Sequence, residues 1–225
     1  MELLSVGNTA KVFLINNRQI VKIFHKKYQA LTRVEYDNYL IAKRHGLPVS
    51  QRVVISRVGE KNGLVLDYIK GTTMDKLRSS ERLKTFVSLQ KIFNSKIDRS
   101  LQSYKERLLE YAGTNIRLKN RIKNLPNEDY ICHGDFHFGN IICFHNCYSV
   151  VDLVTMCKGP KEYDIANTVY LLYYKCGRLF SLGLLKKYLK LCELSFFDIY
   201  PYIKIIYQCD KLNIKRKKIE NKQTK

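Results

Sequence analysis

The 225-residue sequence has no long uncharged apolar run, few prolines, and half as many acidic residues as basic ones. A membrane-spanning helix needs about 20 apolar residues. The most apolar stretch, residues 191–208, is interrupted by two acids, a proline and a lysine. Residues 1–5 lack the basic and apolar parts of a secretory signal. The sequence therefore predicts a soluble, cytoplasmic protein without a membrane span.

Several functional signatures are also absent. The sequence contains no G-x-S-x-G and no H-E-x-x-H, which removes the usual residues of hydrolases. Its seven cysteines form no C-x-x-C pair, and this odd number favours reduced thiols over a disulfide framework. With 45% hydrophobic and 12% aromatic residues, the chain has enough apolar surface for a folded core. We therefore expect one compact unit rather than a disordered or large multidomain protein.

The excess of positive charge has two interpretations. With 40 basic and 20 acidic residues the formal charge is +20, and basic proteins bind polyanions because phosphate contacts release counterions. Residues 76–123 contain thirteen basic residues and four acids, whereas residues 130–210 are nearly neutral. The basic segment is either a binding surface, for which nucleic acid is a candidate partner, or a solvated helical face.

The hydrophobic pattern changes character along the chain. Short strands are predicted at Val12–Ile15, Gln19–Phe24 and Gly63–Asp67, with a helix at about Tyr28–His45. Helical patterns cover residues 75–123 and continue from Asp164, and two short strands are predicted between Tyr130 and Asp152. A small sheet followed by a mainly helical region indicates an α+β fold.

The most informative residues are two aspartates and an asparagine. Asp135 and Asn140 are five residues apart across a glycine-containing loop, and Asp152 ends a strand twelve residues later. Phosphoryl transfer uses a carboxylate to accept the hydroxyl proton, and an amide and a second carboxylate to hold Mg²⁺. Taken singly, each residue fits a turn or a strand end. Their ordered spacing favours Asp135 as the base and Asn140 and Asp152 as metal ligands.

A lysine and a glutamate form a second candidate group. Lys22 lies among apolar residues of a predicted strand, where an unpaired charge is costly. Glu35, thirteen residues later, lies on the helix face that should turn inward. An ion pair between them would resolve both features, and in a phosphoryl-transfer enzyme it would position Lys22 on the nucleotide phosphates. The alternative is a solvated helix acid and a lysine at a strand edge. Gly7, in the turn before Val12, is compatible with a phosphate cover and equally with an ordinary turn.

Residues 131–142 contain H-G-D-x-H-x-G-N and are followed by Asp152 at a strand end. This pattern resembles the signature of the aminoglycoside phosphotransferase / choline kinase-like family. Asp164 in D-I-A resembles the family's next helix start, which implies support of the catalytic loop. Phe138 and Leu153 depart from the family's usual proline and aromatic residue.

The resemblance implies a bilobal protein-kinase-like fold. A small N-terminal lobe with an antiparallel sheet and one helix would span residues 1–70. A mainly helical catalytic and acceptor-binding lobe would span residues 71–210, followed by a basic tail at 211–225. The main chain near Tyr68 would bind the adenine edge. Val12, Ile20 and Val151 would be apolar walls of the base pocket, and His133 a structural support.

The function implied by the resemblance is transfer of the γ-phosphate of ATP, with Mg²⁺, to a hydroxyl of a small molecule. The basic segment mildly favours an anionic acceptor over a polycation. Two alternatives remain at this point. One is a small RIO-like protein kinase that acts on ribosome- or tRNA-associated partners. The other is a basic nucleic-acid-binding protein with a vestigial kinase site.

Overall fold

A computed structural model describes residues 1–77, 82–145 and 147–223, with the side chains of the described residues up to Ile214. The chain divides into two compact units. The first contains Met1–Ser79 and Phe138–Thr155, and the second contains Ser80–His137 and Met156–Lys225. Each unit is thus assembled from two separate segments of the sequence.

The first unit is built on a five-stranded antiparallel sheet with the order β1-β2-β3-β5-β4. Its strands are β1 (Glu2–Val6), β2 (Ala10–Asn16), β3 (Gln19–Phe24), β4 (Val53–Val58) and β5 (Lys61–Asp67). The register places Lys22 of β3 opposite Val12 on one side and Leu64 on the other. Between β2 and β3 the Asn16 side chain accepts a hydrogen bond of 2.9 Å from the Arg18 amide, which stabilises a tight turn.

Three strands of this sheet overlap the sequence-based prediction, whereas β1 and β4 are absent from it. Every residue of β1 is exposed, and β4 has only one buried residue, Val53. An alternating hydrophobic pattern in the sequence indicates a strand with one buried face. Because these two strands lie at the edges of the sheet, the pattern is too weak to reveal them.

Helix α1 (Leu31–Arg44) belongs to the first unit. It begins three residues later than predicted, because residues 26–28 form a separate 3₁₀ turn. The buried face of α1 contains Glu35, Asn38 and Tyr39 at helical spacing. Gly46, with a φ of 65°, ends the helix as the sequence predicts.

A second sheet in the first unit carries the later part of the motif. It has three strands, β6 (Thr72–Thr73), β8 (Ile141–Phe144) and β9 (Cys147–Val150), in the order β6-β8-β9. Short 3₁₀ turns at Phe138–Asn140 and Leu153–Thr155 flank the β8–β9 hairpin. Asn140 and Asp152 therefore both belong to the first unit.

The second unit is mainly helical. Its α-helices are α2 (Arg82–Asn94), α3 (Tyr104–Ala112), α4 (Ile116–Lys123), α5 (Lys161–Cys176), α6 (Arg178–Cys192) and α7 (Phe196–Gln223). Strands β7 (Tyr130–Cys132) and β10 (Cys157–Gly159) pair antiparallel. The side chains of Phe86, Phe93, Tyr104, Tyr163 and Tyr188 are fully buried.

Helix α7 continues into the segment predicted as a basic tail and ends at Gln223, while residues 224–225 lie outside the described residues. Across the described ranges, no helix combines the length and the apolar character that crossing a bilayer requires.

Candidate active site

Lys22 occupies the centre of a charged cluster in the first unit. Its Nζ lies 3.0 Å from Oε1 and 2.9 Å from Oε2 of Glu35, and 2.9 Å from Oδ1 of Asp152. Lys22 is nearly buried and Glu35 completely so, whereas Asp152 is partly exposed. The ion pair between Lys22 and Glu35 that the sequence predicts is therefore present, and Asp152 joins it.

Burial and charge act in opposite directions on this cluster. Burial alone lowers the pKa of Lys22, but the carboxylates of Glu35 and Asp152 outweigh it and the net pKa is raised. Burial raises the pKa of Glu35, and the neighbouring Lys22 only partly offsets that effect. Lys22 therefore stays protonated at neutral pH, with its charge directed at the two carboxylates.

A cavity of about 430 Å³ in the first unit contains this cluster in its wall. Its apolar lining includes the three predicted wall residues and Leu66: Val12, Ile20, Leu66 and Val151. The polar lining includes Lys22, Glu35, Asn140 and Asp152. A cavity with an apolar part and a few polar groups is the usual form of a small-molecule site.

The predicted phosphate cover also lines this cavity. Gly7 lies in the turn between β1 and β2, where its amide donates a hydrogen bond of 2.8 Å to the Ala10 carbonyl. The His25 amide holds the same turn through a bond of 2.8 Å to the Thr9 carbonyl. Gly7, Thr9 and Ala10, all small residues, thus line the cavity.

The segment after β5 lines the cavity with Tyr68 and Ile69. The Tyr68 amide donates a hydrogen bond of 2.9 Å to the Arg18 carbonyl. In the part of the chain described here, the amide of Ile69 donates to no main-chain carbonyl. Two residues later, a Cβ on Gly71 would collide with the carbonyl of Cys143. The segment therefore needs glycine at that position to approach β8.

Sequence reasoning missed Asp67, which ends β5. Its Oδ2 accepts hydrogen bonds from the Gln51 amide at 2.9 Å and the Arg52 amide at 2.8 Å. Its own amide donates to the Ser50 hydroxyl at 2.9 Å. These contacts fix the loop before β4 against the cavity wall. No local sequence signal distinguishes Asp67 from an ordinary strand-end aspartate.

A main-chain hydrogen bond holds the segments of Asn140 and Asp152 next to each other. The Asn140 carbonyl accepts a hydrogen bond of 2.9 Å from the amide of Val151, the residue before Asp152. Asp152 has a φ of 64°, a conformation that L-residues rarely adopt. The chain beyond it is anchored on α1, because Leu153 donates to Glu35 at 3.2 Å and accepts from Asn38 at 2.7 Å.

The donor set suits Mg²⁺ better than a transition metal. Asn140 and Asp152 offer hard oxygen ligands, and Mg²⁺ in nucleotide sites takes one or two protein ligands together with phosphates and water. No group of three or more His, Cys, Asp or Glu side chains placed to hold a metal occurs within the described ranges. The residues present therefore fit a metal ion that is also coordinated by the phosphates of a nucleotide.

The predicted base, Asp135, belongs to the second unit. Its carboxylate is about one-third exposed, and Oδ2 lies 3.8 Å from Nε2 of His137. The Asp135 amide donates a hydrogen bond of 3.2 Å to Nδ1 of His133, which is fully buried. A carboxylate with access to solvent on a fixed main chain is able to accept a proton from a ligand.

Asp164 holds the loop that precedes Asp135. Its Oδ1 accepts from the Gly134 amide at 2.9 Å, and its Oδ2 accepts from the His133 amide at 3.2 Å. Gln90 and Asn94 of α2 donate to the same Oδ2 at 2.8 and 3.0 Å. Asp164 is completely buried, so these four donors compensate its charge.

The buried cluster predicts a large stability difference between two acidic residues of α1. Glu35→Ala should lower the free energy of unfolding by about 3 kcal/mol, because it leaves Lys22 buried with one partner fewer. Asp37→Ala is the matched control, since Asp37 pairs with Arg33 at the surface of the same helix. Urea unfolding measures both variants, and an equal loss in the two would contradict the buried role of Glu35.

Comparison with known proteins identifies a related family. Residues 89–194 match the family model described as the phosphotransferase enzyme family, and this stretch contains Asp135, Asn140, Asp152 and Asp164. The chain has a phosphotransferase fold. The predicted resemblance to the aminoglycoside phosphotransferase / choline kinase-like family is thereby confirmed, and so is the α+β, protein-kinase-like fold class. The family match also indicates a phosphotransferase enzyme.

Three similar solved structures illustrate this phosphotransferase fold. Choline kinase LicA from Streptococcus pneumoniae has 19% identity and a TM-score of 0.67, with 98% of this chain and 87% of that chain covered. Aminoglycoside-3'-phosphotransferase of type VIII has 18% identity and a TM-score of 0.68, with 94% and 93% covered.

The third is aminoglycoside phosphotransferase APH(3'')-Id from Streptomyces rimosus, in complex with ADP and streptomycin. It has 15% identity and a TM-score of 0.68, with 94% of this chain and 92% of that chain covered. No curated protein matches the sequence.

Proposed function

We propose that the protein transfers the γ-phosphate of ATP to a hydroxyl group of a small molecule. The observation that carries this proposal is the position of Lys22 between Glu35 and Asp152 in the wall of the 430 Å³ cavity. A buried lysine paired with a helix glutamate, beside a carboxylate that can bind metal, is the arrangement that orients nucleotide phosphates.

The cavity has suitable groups for the rest of a nucleotide. Gly7 and its turn would cover the phosphates, and Lys22 would bind the α- and β-phosphates. The adenine would lie among the apolar side chains and bind the main chain after β5. Because the Tyr68 amide already donates to Arg18, we assign the base contacts to the Tyr68 carbonyl and the Ile69 amide.

Mg²⁺ would be held by the side-chain oxygens of Asn140 and Asp152. When bound, the ion neutralises charge on the phosphates during transfer. Asn140 is buried and its main-chain carbonyl is bound by the Val151 amide, so the position of its main chain is fixed. Asp152 is held by Lys22 through Oδ1, which places its carboxylate in the wall of the cavity, where it would meet the metal.

Asp135 would accept the proton of the acceptor hydroxyl. A carboxylate is a suitable base when it is ionised and reaches the hydroxyl, and the exposed part of Asp135 permits that contact. The amides of Gly134 and Asp135 are both held by hydrogen bonds, so the Asp135 carboxylate would approach the acceptor in a defined direction.

We propose the chemical class of the acceptor from the excess of basic residues in one segment. Residues 76–123 contain thirteen basic residues and four acids, so a polycation would be repelled and an anionic hydroxyl compound attracted. The described neighbours include a complex with streptomycin, but that ligand is a property of those proteins. We therefore propose phosphorylated or carboxylated hydroxyl compounds as the first acceptors to examine.

A screen with γ-labelled ATP and Mg²⁺ tests the function. It should contain sugars and their phosphates, choline, aminoglycosides, casein and ribosomal fractions. We expect label transfer to a small hydroxyl compound that requires Mg²⁺. Transfer only to protein would support the RIO-like alternative, and tight RNA binding without any ATP turnover would support the vestigial one. Strong phosphorylation of kanamycin would overturn the charge argument.

A further inference from the structure

The peptide group between Gly134 and Asp135 is held at both ends by side chains. The Gly134 carbonyl accepts a hydrogen bond of 3.1 Å from Nη2 of Arg107 and one of 2.8 Å from Nδ2 of Asn167. A carbonyl oxygen has two acceptor lone pairs, so these two donors satisfy it. At the other end of the same peptide, the Asp135 amide donates to His133.

This peptide sets the direction of the Asp135 side chain. Because a peptide group is planar, fixing its carbonyl and its amide also fixes the position of the following Cα. Gly134 has a φ of 75°, and glycine permits many main-chain conformations at such a turn. The side-chain contacts therefore select one conformation out of several that the glycine allows.

Arg107 and Asn167 come from two different helices that meet at the loop. Arg107 lies on α3, and its Nη2 also donates a hydrogen bond of 2.7 Å to the hydroxyl of Tyr163. Tyr163 and Asn167 lie one turn apart on α5, and Tyr163 is buried. The guanidinium is thus anchored on α5 while it binds the loop.

Arg107 also brings a positive charge close to this loop. Among the residues that the structure describes, no carboxylate forms an ion pair with Arg107. From the bond lengths of the peptide group, Nη2 lies within about 6 Å of the Cα of Asp135.

We propose that Arg107 and Asn167 are positioning residues that hold the Gly134–Asp135 peptide so that the Asp135 carboxylate faces the acceptor. Neither side chain needs to contact the acceptor or the nucleotide. The proposal rests on the proposed function, in which Asp135 is the base. It adds two residues that the motif does not contain.

Steady-state kinetics of the protein test whether these two residues affect turnover. Arg107→Ala should lower kcat by about 10²-fold, because a displacement of about 1 Å at a reacting group has an effect of that size. KM for ATP should change little, since the proposed nucleotide cavity belongs to the first unit. Asn167→Ala should also lower kcat. The rates are measured with the acceptor found in the screen and with water as acceptor.

Two controls separate positioning from general damage. Arg178→Ala removes the same charge from an exposed position on α6, outside the basic segment 76–123, and should leave kcat unchanged. Millimolar guanidinium chloride should restore part of the kcat of Arg107→Ala but not that of Asn167→Ala. An unchanged kcat in Arg107→Ala, or a loss that appears equally in KM for ATP, would overturn the proposal.

Amide hydrogen exchange tests the contact without any activity. Exchange in residues 133–136 should become faster in Arg107→Ala and in Asn167→Ala than in Arg178→Ala. If the wild-type protein transfers no phosphate but these exchange rates rise, the proposed function fails while the main-chain contacts remain. If exchange stays the same in all three variants, the positioning role itself is wrong.

Discussion

Asp135→Asn should lower the rate of phosphate transfer by about 10²- to 10⁴-fold, the usual contribution of a general base. The amide has nearly the same shape as the carboxylate but cannot accept the hydroxyl proton. Affinity for ATP with Mg²⁺ should remain close to that of the wild type. The residues that would bind the nucleotide, Lys22 and Asp152 among them, line a cavity formed within the first unit.

Single-turnover measurements with labelled ATP give the transfer rate, and calorimetry gives the affinity for ATP in the same buffer. Asp129→Asn is the matched control, because Asp129 is a partly exposed aspartate of the second unit that pairs with Lys158 at 3.1 Å. It should keep the wild-type rate. A transfer rate for Asp135→Asn within a factor of a few of wild type would remove Asp135 from the role of base.

Asp152→Asn should abolish the part of nucleotide binding that depends on Mg²⁺. The carboxylate supplies the charge that attracts the ion, and an amide oxygen is a far weaker ligand in its place. Transfer activity should fall with it, because a bound ion would neutralise charge on the phosphates. The loss of the ion pair with Lys22 should also lower the melting temperature without ligand.

The measurement is the shift in melting temperature that ATP produces with Mg²⁺ and with EDTA. Wild type should show a larger shift with Mg²⁺, whereas Asp152→Asn should show the same small shift in both. Asp37→Asn, an exposed change in the same unit, should behave as wild type. A normal Mg²⁺-dependent shift in Asp152→Asn would show that the metal is held elsewhere.

The ion pair of Lys22 and Glu35 could be predicted from the sequence because it follows from a physical cost. A lysine inside an apolar strand needs a partner, and the helical spacing identifies one glutamate on the inward face. The participation of Asp152 in the same cluster does not follow in that way. It depends on a contact over 130 residues of sequence, which only the folded chain supplies.

Other features had no local signal. The contacts of Arg107 and Asn167 with Gly134 join α3, α5 and a loop, and neither residue type is unusual for an exposed helix position. In the sequence, Asp67 looks like an ordinary strand-end aspartate. Its contacts with the loop at residues 50–52 form only in the folded chain. The roles of Asp135, Asn140 and Asp152 stay predictions, now with a defined environment for each.

The sharing of Lys22 by two carboxylates sets the charge balance inside the cavity. One cation and two anions leave this cluster with a net charge of about −1 when all three are ionised, although the chain as a whole has a formal charge of +20. An ATP molecule without metal would bring four more negative charges to that point. We therefore expect this cluster to repel free ATP, so that a divalent cation would have to enter together with the nucleotide.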